Sequence, residues 1–250
     1  LDLWSYLVGF VLFFFAAFTK GMLGFGVNIV SIPIMSLLVG PKAAVAITSL
    51  PSILNNLILI IQRRDNDSLY LLKRVKWVLA LGFVGISLGS ILLVSLNTDI
   101  VAAFLGLLTI VFVLTDRLRR NWQIPPEKEG VMAPIAGFVA GLLGGVSGIT
   151  APVLVAYLYS LRLNKRQFVY AISLIFILFT VAQSLNLWLY GVYTLETALL
   201  ALSYIVPLVL GTLAGTKMQD NISQQLFERL LLGTLFLVGL DLIRRGLHLF

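Results

Sequence analysis

The chain has 250 residues, 59% hydrophobic and 12% charged, with mean hydropathy +1.01. A soluble domain carries about 25% charged residues, so this composition cannot cover a water-facing surface and marks an integral membrane protein with no room for a soluble catalytic domain. Cysteine is absent and there is one histidine, His248. Disulfide frameworks, thiolate metal sites, haem and redox chemistry are therefore unsupported, and no cofactor, metal or enzymatic activity is expected. The net charge of +7 comes from basic residues at the ends of apolar runs, a topology signal rather than a nucleic-acid footprint.

Apolar runs lie near 3–19, 21–40, 43–62, 76–96, 100–115, 131–143, 144–161, 167–190, 196–216 and 226–243. Their length and lack of dyad alternation predict helices, not an outer-membrane barrel. The first run is expected to be mature membrane structure, since no A-x-A site follows it. Residues 3–40 are too long for one straight span, which would run to roughly 55 Å, so the stretch must break. Breakage is expected at Gly21, Gly24 and Gly26, before Pro33. Lys20 stands immediately before this point, in a stretch otherwise almost free of charge, which makes it a functional candidate; a snorkelling lysine at a span end is the structural alternative. The next run carries Thr48, Ser49, Ser52, Asn55 and Asn56, with Ser49, Ser52 and Asn56 on one helical face.

The hydrophilic segment Asn121–Gly130 falls at the midpoint, and the sequence on either side repeats. GMLGFGVNIVSIP (21–33) matches GLLGGVSGITAP (141–152), KAAVAITSL (42–50) matches RQFVYAISL (166–174), Gly85/Gly89 match Gly211/Gly215, and TDRLRR (115–120) matches LDLIRR (240–245). The reading is an all-α polytopic transmembrane bundle of about eight spans in two homologous four-element halves, 1–120 and 131–250, joined by the linker 121–130, each half opening with a broken or re-entrant helix. Charge counting leaves the halves parallel, with Arg244 and Arg245 inside, or inverted, with Arg162, Lys165 and Arg166 inside.

A helix broken in the membrane leaves N–H groups unpaired at the start of the next half-helix, and these attract anions. Small polar groups follow the breaks: Asn28 and Ser31 in one half, Ser147 and Thr150 in the other. The second polar stripe is Ser173, Thr180, Gln183, Ser184 and Asn186. For Gly82, Gly85, Gly89, Gly211 and Gly215 close helix packing is the better reading. GMLGFG and GLLGGVSG follow no strand and lack a G-K-[ST], so they are not nucleotide loops, and Ser147 has no buried histidine to activate it. Asp99, Asp116, Glu196, Glu228 and Asp241 lie near segment ends, leaving no central carboxylate for a proton relay or a cation site. Anion export needs none, because the membrane potential favours it by about 2.3 kcal/mol per charge per 100 mV.

At GMLGFGVNIVSIP with KAAVAITSL, and at GFVAGLLGGVSGITAPVLVAYL with RQFVYAISL, the chain resembles the TauE/SafE family of membrane permeases over nearly its whole length. The resemblance implies a multi-pass permease of a prokaryotic plasma (inner) membrane that exports sulfite, sulfoacetate or another organosulfonate. It places the family's glycine-rich motif on Gly21, Gly24, Gly26 and Pro33, and on Gly141, Gly144, Gly145, Gly148 and Pro152. It places the Thr-Ser pair on Thr48 and Ser49, with Ser173 preceded by Ile172 in the second half. Phe25 stands where a glycine is frequent and is expected to narrow one side of the pocket. The expected substrate site is thus Lys20, Gly24, Phe25, Gly26, Asn28, Ser31, Thr48, Ser49, Ser52, Asn55, Asn56, Gly144, Gly145, Ser147, Gly148, Thr150 and Ser173. Expected partners are a small anion and membrane lipid, with a homodimer left open. The alternatives are an anion channel, a Na⁺-coupled importer and a non-transporting scaffold.

Overall fold

The computed structural model describes residues 3–64, 68–115, 125–218 and 224–247; His248 and most of the central linker lie outside them. Among the described residues every regular element is a helix: α1 (Leu3–Leu23), α2 (Val27–Val39), α3 (Pro41–Arg63), α4 (Ser68–Ser95), α5 (Thr98–Thr115), α6 (Pro126–Ser147), α7 (Ala151–Ser160), α8 (Lys165–Leu189), α9 (Leu195–Ser203), α10 (Ile205–Met218) and α11 (Gln224–Gly246).

Six stretches among these residues are long and apolar enough to cross a membrane: Tyr6–Leu23, Pro41–Arg63, Leu69–Ser95, Glu127–Ser147, Lys165–Leu189 and Leu195–Met218. The protein is a multi-pass membrane protein. The surface is that of a bundle in lipid, with Phe15, Ile61 and Leu199 more than half exposed while Ser31, Ser49, Asn55, Asn56 and Ser173 are buried. Trp4, Trp77 and Trp188 are exposed, as an interfacial belt requires.

The first break lies slightly later than the sequence suggests. Gly21 is still helical, and the chain turns at Gly24 (φ 86°) and Gly26 (φ 129°), backbone that side-chain-bearing residues rarely adopt. The second turns at Gly148 (φ 71°), with Gly141, Gly144 and Gly145 inside α6. At 13 and 10 residues, α2 and α7 reach only about 20 and 15 Å, too short to span. The apolar run 196–216 is divided because Pro207 has no N–H and its ring clashes with the carbonyl four residues back, which ends α9 at Ser203.

Glycines set the closest pairings. A Cβ at Gly211 or Gly215 would run into the carbonyl of Phe14 or Phe18, so α10 lies against α1, parallel to it. A Cβ at Gly85, Gly141 or Gly145 would strike the carbonyl of Phe138, Gly82 or Ile86, so α4 and α6 are likewise parallel and in backbone contact. The α5–α11 pair is antiparallel, with Gly106 facing Gly239 and Gly246 facing Asp99. These glycines gain dispersion contact where lipid gives no hydrophobic drive between helices.

At the centre, α3 and α8 cross antiparallel. The Arg166 guanidinium, in the first turn of α8, donates to the carbonyls of Arg63 (3.2 Å) and Arg64 (2.6 Å) at the end of α3, satisfying acceptors that have no partner within that helix. Beyond the other end of α8, Tyr193 hydrogen-bonds Ser49 near the start of α3. Lys42 donates to the carbonyl of Val94 (2.8 Å), so α3 starts where α4 ends.

Candidate functional site

The turns that interrupt the two glycine-rich segments face each other. The Asn28 amide N–H donates to the carbonyl of Gly148 (3.0 Å), and a Cβ on Gly148 would strike the tip of Ile32. Around this junction lies a cavity of about 20 Å³, room for roughly one or two water-sized groups. Its walls are the two turns (Gly26 to Ile29 and Gly148 to Ala151), Lys20 at the end of α1, Asn56 of α3, Ile86 of α4, and Phe176, Phe179, Thr180 and Gln183 of α8.

Both short helices begin at this cavity. Neither the N-cap of α2, Gly26, nor that of α7, Thr150, supplies a side-chain cap, so two positive dipole ends open on the same small volume. Among the described residues Lys20 is the sole charged side chain in the lining, and it is only 2% exposed. Its ammonium donates to Asn56 Oδ1 and sits 5.4 Å from the centroid of the Phe176 ring. An ammonium over an aromatic face is attracted electrostatically, though less than by a full negative charge.

Lys20 belongs to a hydrogen-bonded chain that ends on the opposite turn. Asn56 Nδ2 donates to the carbonyl of Ser52 (2.8 Å), Ser52 Oγ donates to Asn28 Oδ1 (2.6 Å), and Asn28 Nδ2 donates to Gly148. The relay uses the face of α3 expected from the Ser52 and Asn56 spacing. On the far side, Gln183 Nε2 donates to the carbonyls of Gly144 (2.8 Å) and Gly145 (3.1 Å), tying off the last turn of α6.

Of the residues expected from the sequence, Lys20, Gly26, Asn28, Asn56, Gly148 and Thr150 line this cavity, and Ser52 is one bond behind it. Others lie elsewhere. Phe25 is buried between the rings of Phe112 and Phe168, at centroid distances of 6.5 and 6.4 Å, and forms no part of the cavity wall. Gly24 lies against Val169, Gly144 against the methyl of Thr150, and Gly145 against the α4 backbone. Ser147 donates to the carbonyl of Leu143 (2.6 Å) and accepts from Ile149 N–H (3.1 Å), shaping the turn itself. Ser31 is satisfied by the carbonyl of Val27 (2.7 Å), and Ser49 by Ala46 and Tyr193. Thr48, Asn55 and Ser173 are buried with side-chain polar atoms that have no hydrogen-bond partner among the described residues, and none of the three lines the cavity.

Sequence reasoning missed the α8 wall as part of the site. Thr180 and Gln183 stood in the polar stripe of that helix at a three-residue spacing and could have been included. Phe176, Phe179 and Ile86 carry no signal, because apolar residues on apolar helices are indistinguishable until packing selects them.

No curated protein and no solved structure matches the chain. The family model described as sulfite exporter TauE/SafE matches residues 9–242, nearly the whole chain. The cavity between two helix breaks thus belongs to a membrane permease of the exporter class, and the chain is a member of the sulfite exporter TauE/SafE family.

Proposed function

We propose that the protein is a secondary permease that moves a small sulfur-containing anion, sulfite or an organosulfonate such as sulfoacetate, outward across a prokaryotic plasma membrane by alternating access. The observation that carries this reading is the convergence of one buried lysine, Lys20, with two uncapped half-helix N-termini in one cavity among whose described lining residues there is no carboxylate. The electrostatics of such a site favour an oxyanion and disfavour cations.

We further propose that residues 1–120 and 131–250 are repeats inserted in opposite orientations, joined by the linker 121–130. Three relations support inversion. The matching helices α3 and α8 are antiparallel, as are α5 and α11. The α1–α10 and α6–α4 pairs exchange partners as an inverted repeat requires. Arg162, Lys165 and Arg166 then share the cytoplasmic end with Arg63, Arg64, Lys73, Arg74 and Lys76, while Arg244 and Arg245 lie outside, paired with Asp241. Each broken segment becomes a hairpin that enters and leaves on the same side, and the two meet at the cavity, the arrangement in which repeats rock about a fixed midplane site.

The test is reconstitution in liposomes with sulfite and sulfoacetate, with and without Na⁺. Saturable flux of either anion with counterflow, independent of Na⁺, is the expected result. Non-saturating flux would make the protein a channel, and Na⁺-dependent uptake an importer. No flux of either anion from folded, inserted protein would withdraw the assignment.

A further inference from the structure

Lys20 has a peculiarity that anion binding alone does not require. The helices that pack on it or share its cavity are α2, α3, α4, α7, α8 and α10, and none of them, nor α1 itself, carries an aspartate or glutamate. Their ionisable groups are Tyr6 on α1, Lys42 and Arg63 on α3, Tyr70, Lys73, Arg74 and Lys76 on α4, Tyr157 and Tyr159 on α7, Lys165, Arg166 and Tyr170 on α8, and Lys217 on α10; α2 has none. The partners of Lys20 are a neutral amide oxygen and an aromatic ring. A buried ammonium without a counter-charge is costly, whereas a neutral amine is not, and Asn56 Oδ1 accepts a hydrogen bond from either form. A carboxylate partner would have locked the charged form. At the matching position of the second glycine-rich segment stands Ala140, so the cavity has one such group.

Resting on the permease reading above, we propose that Lys20 is a proton carrier, and that the protein moves its anion together with one proton. The bound anion supplies the missing counter-charge, so anion and proton stabilise each other in the cavity, as linkage requires in both directions. On the loading side the Lys20 amine takes a proton from water as the anion enters. On the release side the anion departs, the ammonium loses its counter-charge, and the proton passes to water. The neutral amine then returns with the empty carrier. A monoanionic sulfonate crosses with no net charge, so only its own concentration gradient drives it outward and an acid exterior opposes it, whereas a dianion such as sulfoacetate crosses with one negative charge, which the membrane potential drives outward.

The test uses the full chain in liposomes containing a trapped pH dye, with potential clamped by potassium and valinomycin. Methanesulfonate is the probe because it stays ionised near neutral pH and brings no proton of its own. Wild-type protein is expected to acidify the lumen in step with methanesulfonate entry, at a rate indifferent to the clamped potential, and an acid exterior alone is expected to drive uphill accumulation. Lys20→Arg, which keeps its charge, is expected to lose net uptake by at least about tenfold, and the uptake that remains is expected to leave the lumen pH unchanged and to follow the clamped potential. Wild-type net uptake without acidification, or net uptake by Lys20→Arg at the wild-type rate, would overturn proton coupling and leave the permease reading standing. Absence of counterflow for both methanesulfonate and sulfoacetate in wild-type protein would overturn the permease reading and this inference with it.

Discussion

Asn28 and Gly148, 120 residues apart in the chain, are joined by a hydrogen bond of 3.0 Å that closes one helix break onto the other. Asn28 also accepts from Ser52, so both ends of its amide are engaged and its orientation is fixed. Whatever binds in the cavity sits beside this bond, and any rocking of one hairpin against the other must strain it.

Replacing Asn28 is therefore expected to act on transport more than on folding. Asn28→Ala leaves Ser52 Oγ and the Gly148 carbonyl without their partner, a cost of about 1–3 kcal/mol for groups shielded from water. Sulfoacetate flux is expected to fall at least about tenfold while the purified variant remains folded, read by flux assay and thermal unfolding on the same preparation. Unchanged flux would show that the link between the breaks is structural only.

Lys20→Met should separate function from stability in the opposite sense. Filling the site of a buried charge with an apolar side chain of similar length is often neutral or stabilising. The variant is expected to unfold at the same temperature as wild type or higher, yet to lose saturable anion flux. A variant that still transports with an unchanged half-saturation concentration would remove Lys20 from the anion site.

Two glycines offer a matched contrast in packing. Gly141→Ala puts a methyl group into the Gly82 carbonyl across the α4–α6 seam and is expected to destabilise by about 1–3 kcal/mol, since neither backbone can retreat cheaply. Gly130, in the first turns of α6, has nothing within 4 Å of an added Cβ. Gly130→Ala is expected to be neutral or to stabilise by up to about 1 kcal/mol through helix propensity. Thermal unfolding of the two variants checks the sign of each.

Orientation can be read directly because the chain has no cysteine. Single cysteines replacing Arg64 and Lys165 are expected to react with a membrane-impermeant maleimide from the same side, and one replacing Lys42 from the other. Labelling of the Arg64 and Lys165 positions from opposite sides would restore parallel halves.

Much of this was legible in the chain because its signals are local. Apolar length against sparse charge specifies membrane helices, and the near-repeat of GMLGFGVNIVSIP as GLLGGVSGITAP marks the two interruptions. The spacing of Ser52 and Asn56 placed both on the face that carries the relay from Lys20 to Asn28. The role of each glycine was not legible: Gly21, Gly141 and Gly145 pack helices, whereas Gly24, Gly26 and Gly148 turn the chain. Both uses demand a missing side chain, and only the neighbour's position tells them apart. Phe25, expected at the pocket, turned out to be held between two rings from other helices, a contact no local pattern encodes. Composition and periodicity thus determined the solvent this protein folds in and where its helices fail. Tertiary structure decided that the two failures meet, that one lysine lies between them with no counter-charge among the described residues, and that α8 closes the chamber, because those facts depend on distances between residues the sequence keeps far apart.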